Sequence, residues 1–326
     1  MQPNPASTPA AGLPSAGPVR IGTRASRLAQ VQARWTQAAI TSALGQPPEL
    51  ADEVAPIVLI STAGDRIQDR RLLEVGGKAL FTKEIEQALL DGRVDCAVHS
   101  LKDVPAEQTP GLVLAAHPER EDVRDAFVSA RYARFDDLPR GARLGTASLR
   151  RQAQALHRRP DLEIVMFRGN VETRLRKLDA GEVDATLLAA AGLNRLGLQD
   201  RITEWLDPQR QPPAPGQGAL AIQTRAEDAT SPWTRALHHA PTALALAAER
   251  GALEALEGSC RTAMGAHVWM DGPTLRLVVE ALAPDGSARW RREGELTAPD
   301  EASAHKLGLG LGLDIRNEAG DRLELG

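Results

Sequence analysis

The sequence predicts an α/β protein with two similar lobes facing each other across a cleft and a smaller α/β domain after them. Three observations predict this. The chain has 326 residues, more than one core usually serves. Short apolar runs alternate with stretches of helical periodicity, the order expected of strands and helices in an α/β sheet. The second half also echoes the first. Leu144-Gly145-Thr146-Ala147-Ser148 repeats Ile21-Gly22-Thr23-Arg24-Ala25-Ser26 one residue shorter, and Gly181-Glu182-Val183-Asp184 repeats Gly92-Arg93-Val94-Asp95.

Residues 1–18 are rich in Pro, Ala, Ser and Gly, which predicts a disordered tail. Val19–Gly22 predicts a first strand. Ser26 is placed to cap the helix that follows, with Leu28, Val31, Trp35 and Ala39 as its core face. Val54–Ile60 predicts a second strand. The charged stretch 61–77, with glycines near both ends, is long for an unstructured loop and reads as a mobile lid or as a short helix on the surface. A helix over Phe81–Leu90 ends at Gly92. Val94–Val98 predicts a buried strand opening onto His99-Ser100-Leu101-Lys102-Asp103, and Leu112–Ala115 another strand. The Pro- and Gly-rich stretch 211–218 predicts a crossover, and Ala219–Thr224 a strand returning to the first lobe. Pro241 opens a helix through Leu256, which gives way to a loop at Gly258-Ser259-Cys260. Ala266–Met270 and Leu275–Leu282 predict a hairpin about Asp271-Gly272. Glu301–Leu313 predicts a closing helix. The expected domains are 19–118 with 216–238, 119–215, and 239–326.

Bulk composition excludes several functions. Aromatics are 3% of residues, too few for base-stacking platforms, and the net charge of −4 opposes nucleic-acid binding. Cys96 and Cys260 are the only cysteines, so neither a disulfide framework nor a Cys-rich zinc site is expected. His238-His239 lack metal-ligand spacing. No Walker loop or G-x-G-x-x-G occurs, so a nucleotide cofactor has no support. No apolar run reaches membrane-spanning length and no secretory leader is recognisable, so the expected compartment is the cytoplasm.

The candidate site starts at the end of the strand 94–98. Parallel strands open their carboxyl ends onto a crevice where ligands bind, so Ser100, Lys102 and Asp103 are expected there. Ser26 and Ser148 would bring two helix N-termini to the same ligand. Arg150, Arg151, Arg168 and Arg174 follow proposed strand ends, where guanidinium groups can grip carboxylates. With Arg24, Lys78 and Lys102 they imply a ligand bearing many carboxylates. Arg158, Arg159 and Arg176 instead read as a solvated face. Asp103, an anion among cations, is either salt-bridged or available to stabilise positive charge and move a proton. Cys260 follows a helix in a loop beside Arg261, a position for a nucleophile or an attachment site. Cys96 lies inside a strand and reads as a buried hydrophobe. His99 reads as a core or supporting histidine. A non-catalytic two-lobed protein binding polycarboxylates is the alternative to an enzyme.

These stretches resemble the porphobilinogen deaminase (hydroxymethylbilane synthase) family. The resemblance rests on GTRAS (22–26), GGKALFTKEIE (76–86), DCAVHSLKDVP (95–105), REDVRDAFVS (120–129), GTASLRRQ (145–152), RGNVETRL (168–175), AAGLNRLGL (190–198), PGQGAL (215–220) and LEGSC (256–260). It implies three domains, two of them similar to periplasmic-binding-protein lobes. It implies a cytoplasmic monomer that condenses four porphobilinogens head to tail into hydroxymethylbilane, releasing ammonia each time. It implies a dipyrromethane cofactor held by a thioether to Cys260. It implies that Asp103 is catalytic, and that Arg24, Ser26, Lys78, Ser100, Lys102, Thr146, Ser148, Arg150, Arg151, Arg168 and Arg174 bind cofactor and substrate carboxylates. Gly192 and Gln217 would line the cleft. From composition and spacing alone, no metal, nucleic-acid or membrane partner is expected. Two departures stand out: Ser259 replaces a glycine common in the cysteine loop, and the closing helix is expected to end early.

Overall fold

The structure is a computed structural model that describes residues 17–66, 81–256 and 262–323. In chain order, the first part contains β1 (Ile21–Thr23), α1 (Arg27–Ala43), α2 (Ala51–Val54), β2 (Ile57–Leu59), α3 (Ala63–Arg66), α4 (Lys83–Leu90), β3 (Cys96–Ser100) and β4 (Leu112–Ala116). The second contains β5 (Asp125–Val128), β6 (Arg143–Thr146), α5 (Leu149–Arg158), β7 (Glu163–Met166), α6 (Val171–Asp179), β8 (Ala185–Ala189), α7 (Ala190–Arg195) and β9 (Glu204–Trp205). Then follow β10 (Leu220–Arg225), α8 (Pro232–Leu237), α9 (Ala240–Ala255), β11 (Ala263–Asp271), β12 (Thr274–Leu282), β13 (Arg289–Thr297) and α10 (Glu301–Ala319).

The first sheet runs β2-β1-β3-β10-β4 and the second β7-β6-β8-β5-β9. Each has three parallel strands followed by one antiparallel partner at the same place, β10 against β3 and β5 against β8. The two lobes are therefore built alike. The repeated Gly-x-Val-Asp has the same task in both. Gly92 and Gly181 take φ of 67° and 76° just past α4 and α6, a conformation that favours glycine. The aspartate that follows then clasps the arginine at the start of the lobe's first parallel strand. Asp95 accepts from Arg20 backbone N at 2.9 Å and Nε at 2.8 Å. Asp184 accepts from Arg143 backbone N at 2.8 Å.

The chain passes between the lobes twice, at 117–124 and 206–219, and the two passages touch. Glu121 N donates to Gly218 O at 3.2 Å. Arg120 donates to Gln217 O at 2.9 Å and pairs bidentately with the buried Glu249 of α9 at 2.8 Å. Glu249 also accepts from Gly216 N at 2.8 Å, so one carboxylate ties both passages to the C-terminal part. There, α9 and α10 cover the three-stranded sheet β11-β12-β13. Their backbones meet at glycines: a Cβ on Gly308 would lie 1.9 Å from Ala248 O, and one on Gly251 2.1 Å from His305 O.

Several expectations need correction. The buried face of α1 is Ala29, Gln32, Ala33, Thr36, Gln37, Ile40 and Thr41, while Trp35 is 48% exposed. Polar residues can take that face because each finds a partner: Thr36 and Thr41 donate to the carbonyls of Gln32 and Gln37 one turn back, Gln37 to Ala55 O, and Gln32 to Ser100 Oγ. The strand expected over Val54–Ile60 shrinks to Ile57–Leu59, because Val54 closes α2 and Pro56 separates the two. The closing helix continues to Ala319 rather than ending early. The tail 1–16, most of the proposed lid and the cysteine loop at 257–261 lie outside the described residues.

Candidate active site

Four chain turns carry the candidate residues, two in each lobe. In the first lobe, β1 leads through Arg24 to Ser26, whose hydroxyl caps α1 by accepting from Ala29 N at 3.3 Å. Arg24 stacks on the Phe81 ring, 4.2 Å from its centroid. β3 ends at Ser100, which accepts from Gln32 Nε2 at 3.0 Å, and continues through Lys102 and Asp103 in one tight turn. In the second lobe, β6 leads to Ser148, which caps α5 by accepting from Arg151 N at 3.4 Å. Thr146 accepts from Ser148 N at 3.1 Å. Thr146, Ser26 and Ser148 thus shape the turns with their side chains. Arg168 precedes α6, and Arg174 lies within it.

Asp125 is the residue that sequence reasoning left unassigned. It opens β5 fully out of solvent, and Arg150, Arg151 and Gln217 all reach it. Arg150 Nη1 donates at 2.7 Å, Arg151 Nη2 at 2.8 Å and Gln217 Nε2 at 2.9 Å. Burial alone would raise the Asp125 carboxyl, but the two guanidinium groups overcome it and hold the group far below the usual carboxylate range. Asp125 sits in the REDVRDAFVS stretch, yet a carboxylate at a strand start looks like a surface residue when its partners are distant in sequence.

Gln217, completely buried, joins this group to the first lobe. Its Oε1 accepts from Arg151 at 3.4 Å and from Lys102 Nζ at 3.4 Å. Lys102 is open to the cleft yet sits deep among protein atoms. That desolvation, with the charge of Arg151 beside it, pushes the ammonium down to about 8. Arg174 is pushed down to about 10, first by burial and then by Arg151, while Asp103 acts to raise it. Asp103 of the first lobe is therefore close enough to Arg174 of the second for their charges to act across the cleft. Among the described residues Asp103 has no hydrogen-bond or ion-pair partner.

Hydrogen bonds thus join Lys102, Gln217, Arg150 and Arg151 around Asp125, and Arg174 feels the charges of Arg151, Asp103 and Arg168. Arg24, Ser26, Ser100, Thr146 and Ser148 lie at the strand ends and helix starts of the same two lobes. Gly192 behaves differently. A Cβ there would touch Leu28 at 3.6 Å and Val171 at 3.9 Å, so it sits where the lobes abut. Lys78 and Cys260 fall outside the described residues. His99 is a core group: it shares a 3.0 Å hydrogen bond with Gln223, and burial lowers its basicity. The Cys96 thiol is buried and pushed up, which makes it inert.

The cleft is built for anions. Its cations exceed its carboxylates, Lys102 and Arg174 carry unfavourable desolvation, and Arg168 Nη1 is buried without a hydrogen-bond partner among the described residues. Groups in that condition gain most from a ligand that brings several carboxylates. The acetate and propionate groups of a dipyrromethane meet that requirement, so the residues present fit such a group.

Fold and site together define a two-lobed α/β protein with a cation-rich cleft between its lobes. Residues 19–232 match the family described as "Porphobilinogen deaminase, dipyromethane cofactor binding domain". The chain is 63% identical over 315 residues to the porphobilinogen deaminase of Caulobacter vibrioides strain NA1000 / CB15N, covering 94% of this chain and 98% of that one. It is 60% identical over 320 residues to the porphobilinogen deaminase of Phenylobacterium zucineum strain HLK1, covering 96% and 100%. Among solved structures, the methionine-binding protein MetQ aligns with a TM-score of 0.42 and 14% identity, over 67% of this chain and 89% of that one. The chain belongs to the porphobilinogen deaminase family.

Proposed function

We propose that this chain joins four porphobilinogen molecules head to tail into hydroxymethylbilane, releasing ammonia at each addition, in the cleft between its two lobes. The observation that carries the reading is Asp103: a carboxylate in the turn after β3, without an ion pair among the described residues, whose charge acts on Arg174 of the other lobe. When bound, a dipyrromethane supplies the pyrrole carbon to which the first substrate is joined. Cys260, which follows α9 in the chain, is the proposed point of its attachment.

The roles of the chain's own residues follow from their chemistry. Arg168, Arg174, Arg24, Lys102 and Lys78 bind acetate and propionate groups; guanidinium groups do so bidentately and fix the orientation of the ring. Arg150 and Arg151 already hold Asp125, so they contribute field and rigidity more than new contacts. Ser26 and Ser100 on the first lobe, and Thr146 and Ser148 on the second, offer hydroxyl groups and helix N-termini from the two sides. Gln217 holds the registry of Lys102 and Arg151. Asp103 accepts hydrogen bonds from pyrrole N–H groups, so it stabilises positive charge as it develops on the ring and assists departure of ammonia. In this reading 19–118 with 216–238, 119–215 and 239–326 are the three domains, and the protein works as a cytoplasmic monomer.

Intact-mass measurement of the purified protein and of Cys260→Ala tests the attachment. A mass increment of two substrate-derived pyrroles on the native chain alone supports it; an unmodified native chain from cells able to make porphobilinogen rejects it. Asp103→Asn should lower turnover by at least 100-fold, the order lost with one charge-stabilising group, with an unchanged melting temperature. Near-native turnover would reject the assignment of Asp103.

A further inference from the structure

A second cavity, of about 610 Å³, lies away from the cleft, between the second lobe and the C-terminal sheet. α5 forms one wall, the passage from β9 to β10 another, and β12 with β13 a third. We propose that it is a binding site for a small multivalent anion, a molecule carrying two or more carboxylate or phosphate groups.

The lining argues for that chemistry. Arg158, Arg210, Arg289 and Arg291 outnumber the two carboxylates, Asp207 and Glu280. Glu280 is already engaged. It is buried, pairs with Arg289 Nε at 2.6 Å and accepts from Gln154 Nε2 at 3.0 Å. Arg158 pairs with Asp136, and Arg291 with Glu293 at 2.6 Å. Arg210 has no ion pair among the described residues, and its guanidinium is exposed at the cavity. Gln211 beside it lines the same cavity and has a buried Nε2 with no hydrogen-bond partner. Asp207 accepts from Gln209 N at 2.8 Å, and Arg210 and Gln211 keep side-chain donors without a partner among the described residues, which an anion's oxygens would satisfy. The volume lies in the range of small-molecule sites, roughly 300–1,000 Å³. Nothing in the porphobilinogen reaction uses these residues. The cavity is not sealed off from the cleft, however: Gln154 also accepts from Arg150 Nη1 at 2.9 Å, so one side chain touches both places.

The test is calorimetric titration of the holoenzyme, at low ionic strength, with citrate and separately with pyrophosphate. Saturable binding of either probe is expected, and which of the two binds more tightly separates carboxylate from phosphate recognition. Arg210→Glu should weaken that binding at least tenfold, and its turnover of porphobilinogen without added anion should match wild type. Arg210 is exposed, so the charge reversal should leave the melting temperature unchanged. Gln211→Glu is the second variant, introducing negative charge at the same wall, and should weaken binding in the same way. Absence of saturable binding by both probes overturns the proposal. So does equal affinity in wild type and both variants, the result expected of an anion that sits in the catalytic cleft and raises the KM for porphobilinogen.

Discussion

Asp125→Asn keeps the shape of a buried side chain and removes the charge that Arg150 and Arg151 share. Breaking a buried ion pair from one side costs about 3–5 kcal/mol, because the remaining charge is stranded. A lower melting temperature and weakened porphobilinogen binding are the expected results. The pH dependence carries a sign. The folded carboxyl is held below its unfolded value of about 3.9. The stability it supplies is therefore present above that value and is lost as pH falls below it. Denaturant unfolding below about pH 4 should show a shallower acid decline in the variant than in wild type. Lys102 has the opposite displacement. Its folded value near 8 lies below the unfolded value of about 10.4. The unfolded chain holds that proton through the interval and the folded chain does not, so stability rises with pH there. Substrate binding runs the other way: KM for porphobilinogen should climb as pH rises through 8 and Lys102 loses its charge. Lys102→Arg should flatten that climb.

At the scale of elements, the close passage of the two crossovers is the sensitive point. Gly218 takes a φ of 86°, and a Cβ on it would stand 2.4 Å from Glu121 O. Gly218→Ala should therefore destabilise by more than about 1 kcal/mol, read as a lowered denaturant midpoint with an unchanged slope. The same scale explains what could be read from the chain. β3 was legible because an apolar run stops abruptly in polar residues. The hairpin at Asp271-Gly272 was legible because Gly272 takes a φ of 59°, as its turn requires. β13 was not: Arg289, Arg291, Arg292, Glu293 and Glu295 crowd a strand whose one fully buried side chain is Trp290, because it is an edge with one wet face. In the cleft, the cations were legible as residue types after strand ends. Asp125 was hidden, since its partners lie 25 or more positions away.

For the whole molecule, Glu249 is the tie among all three sheets. It holds Arg120 and Gly216 from the two passages and accepts from Val268 N of β11 at 3.3 Å. Glu249→Gln keeps the shape and removes the charge. It should lower the melting temperature and broaden the thermal transition by calorimetry, as the C-terminal part begins to melt separately from the lobes. A single sharp transition at the wild-type temperature would show that the packing alone suffices.

The position of β10 has a consequence for how the chain is made. It lies between β3 and β4, yet it emerges about a hundred residues after them, once the whole second lobe has been synthesised. On the ribosome, the opening lobe must wait with a gap in its sheet while the nested lobe completes itself. The first lobe to begin is the later to finish, and its exposed strand edges make it the segment most in need of a chaperone during translation.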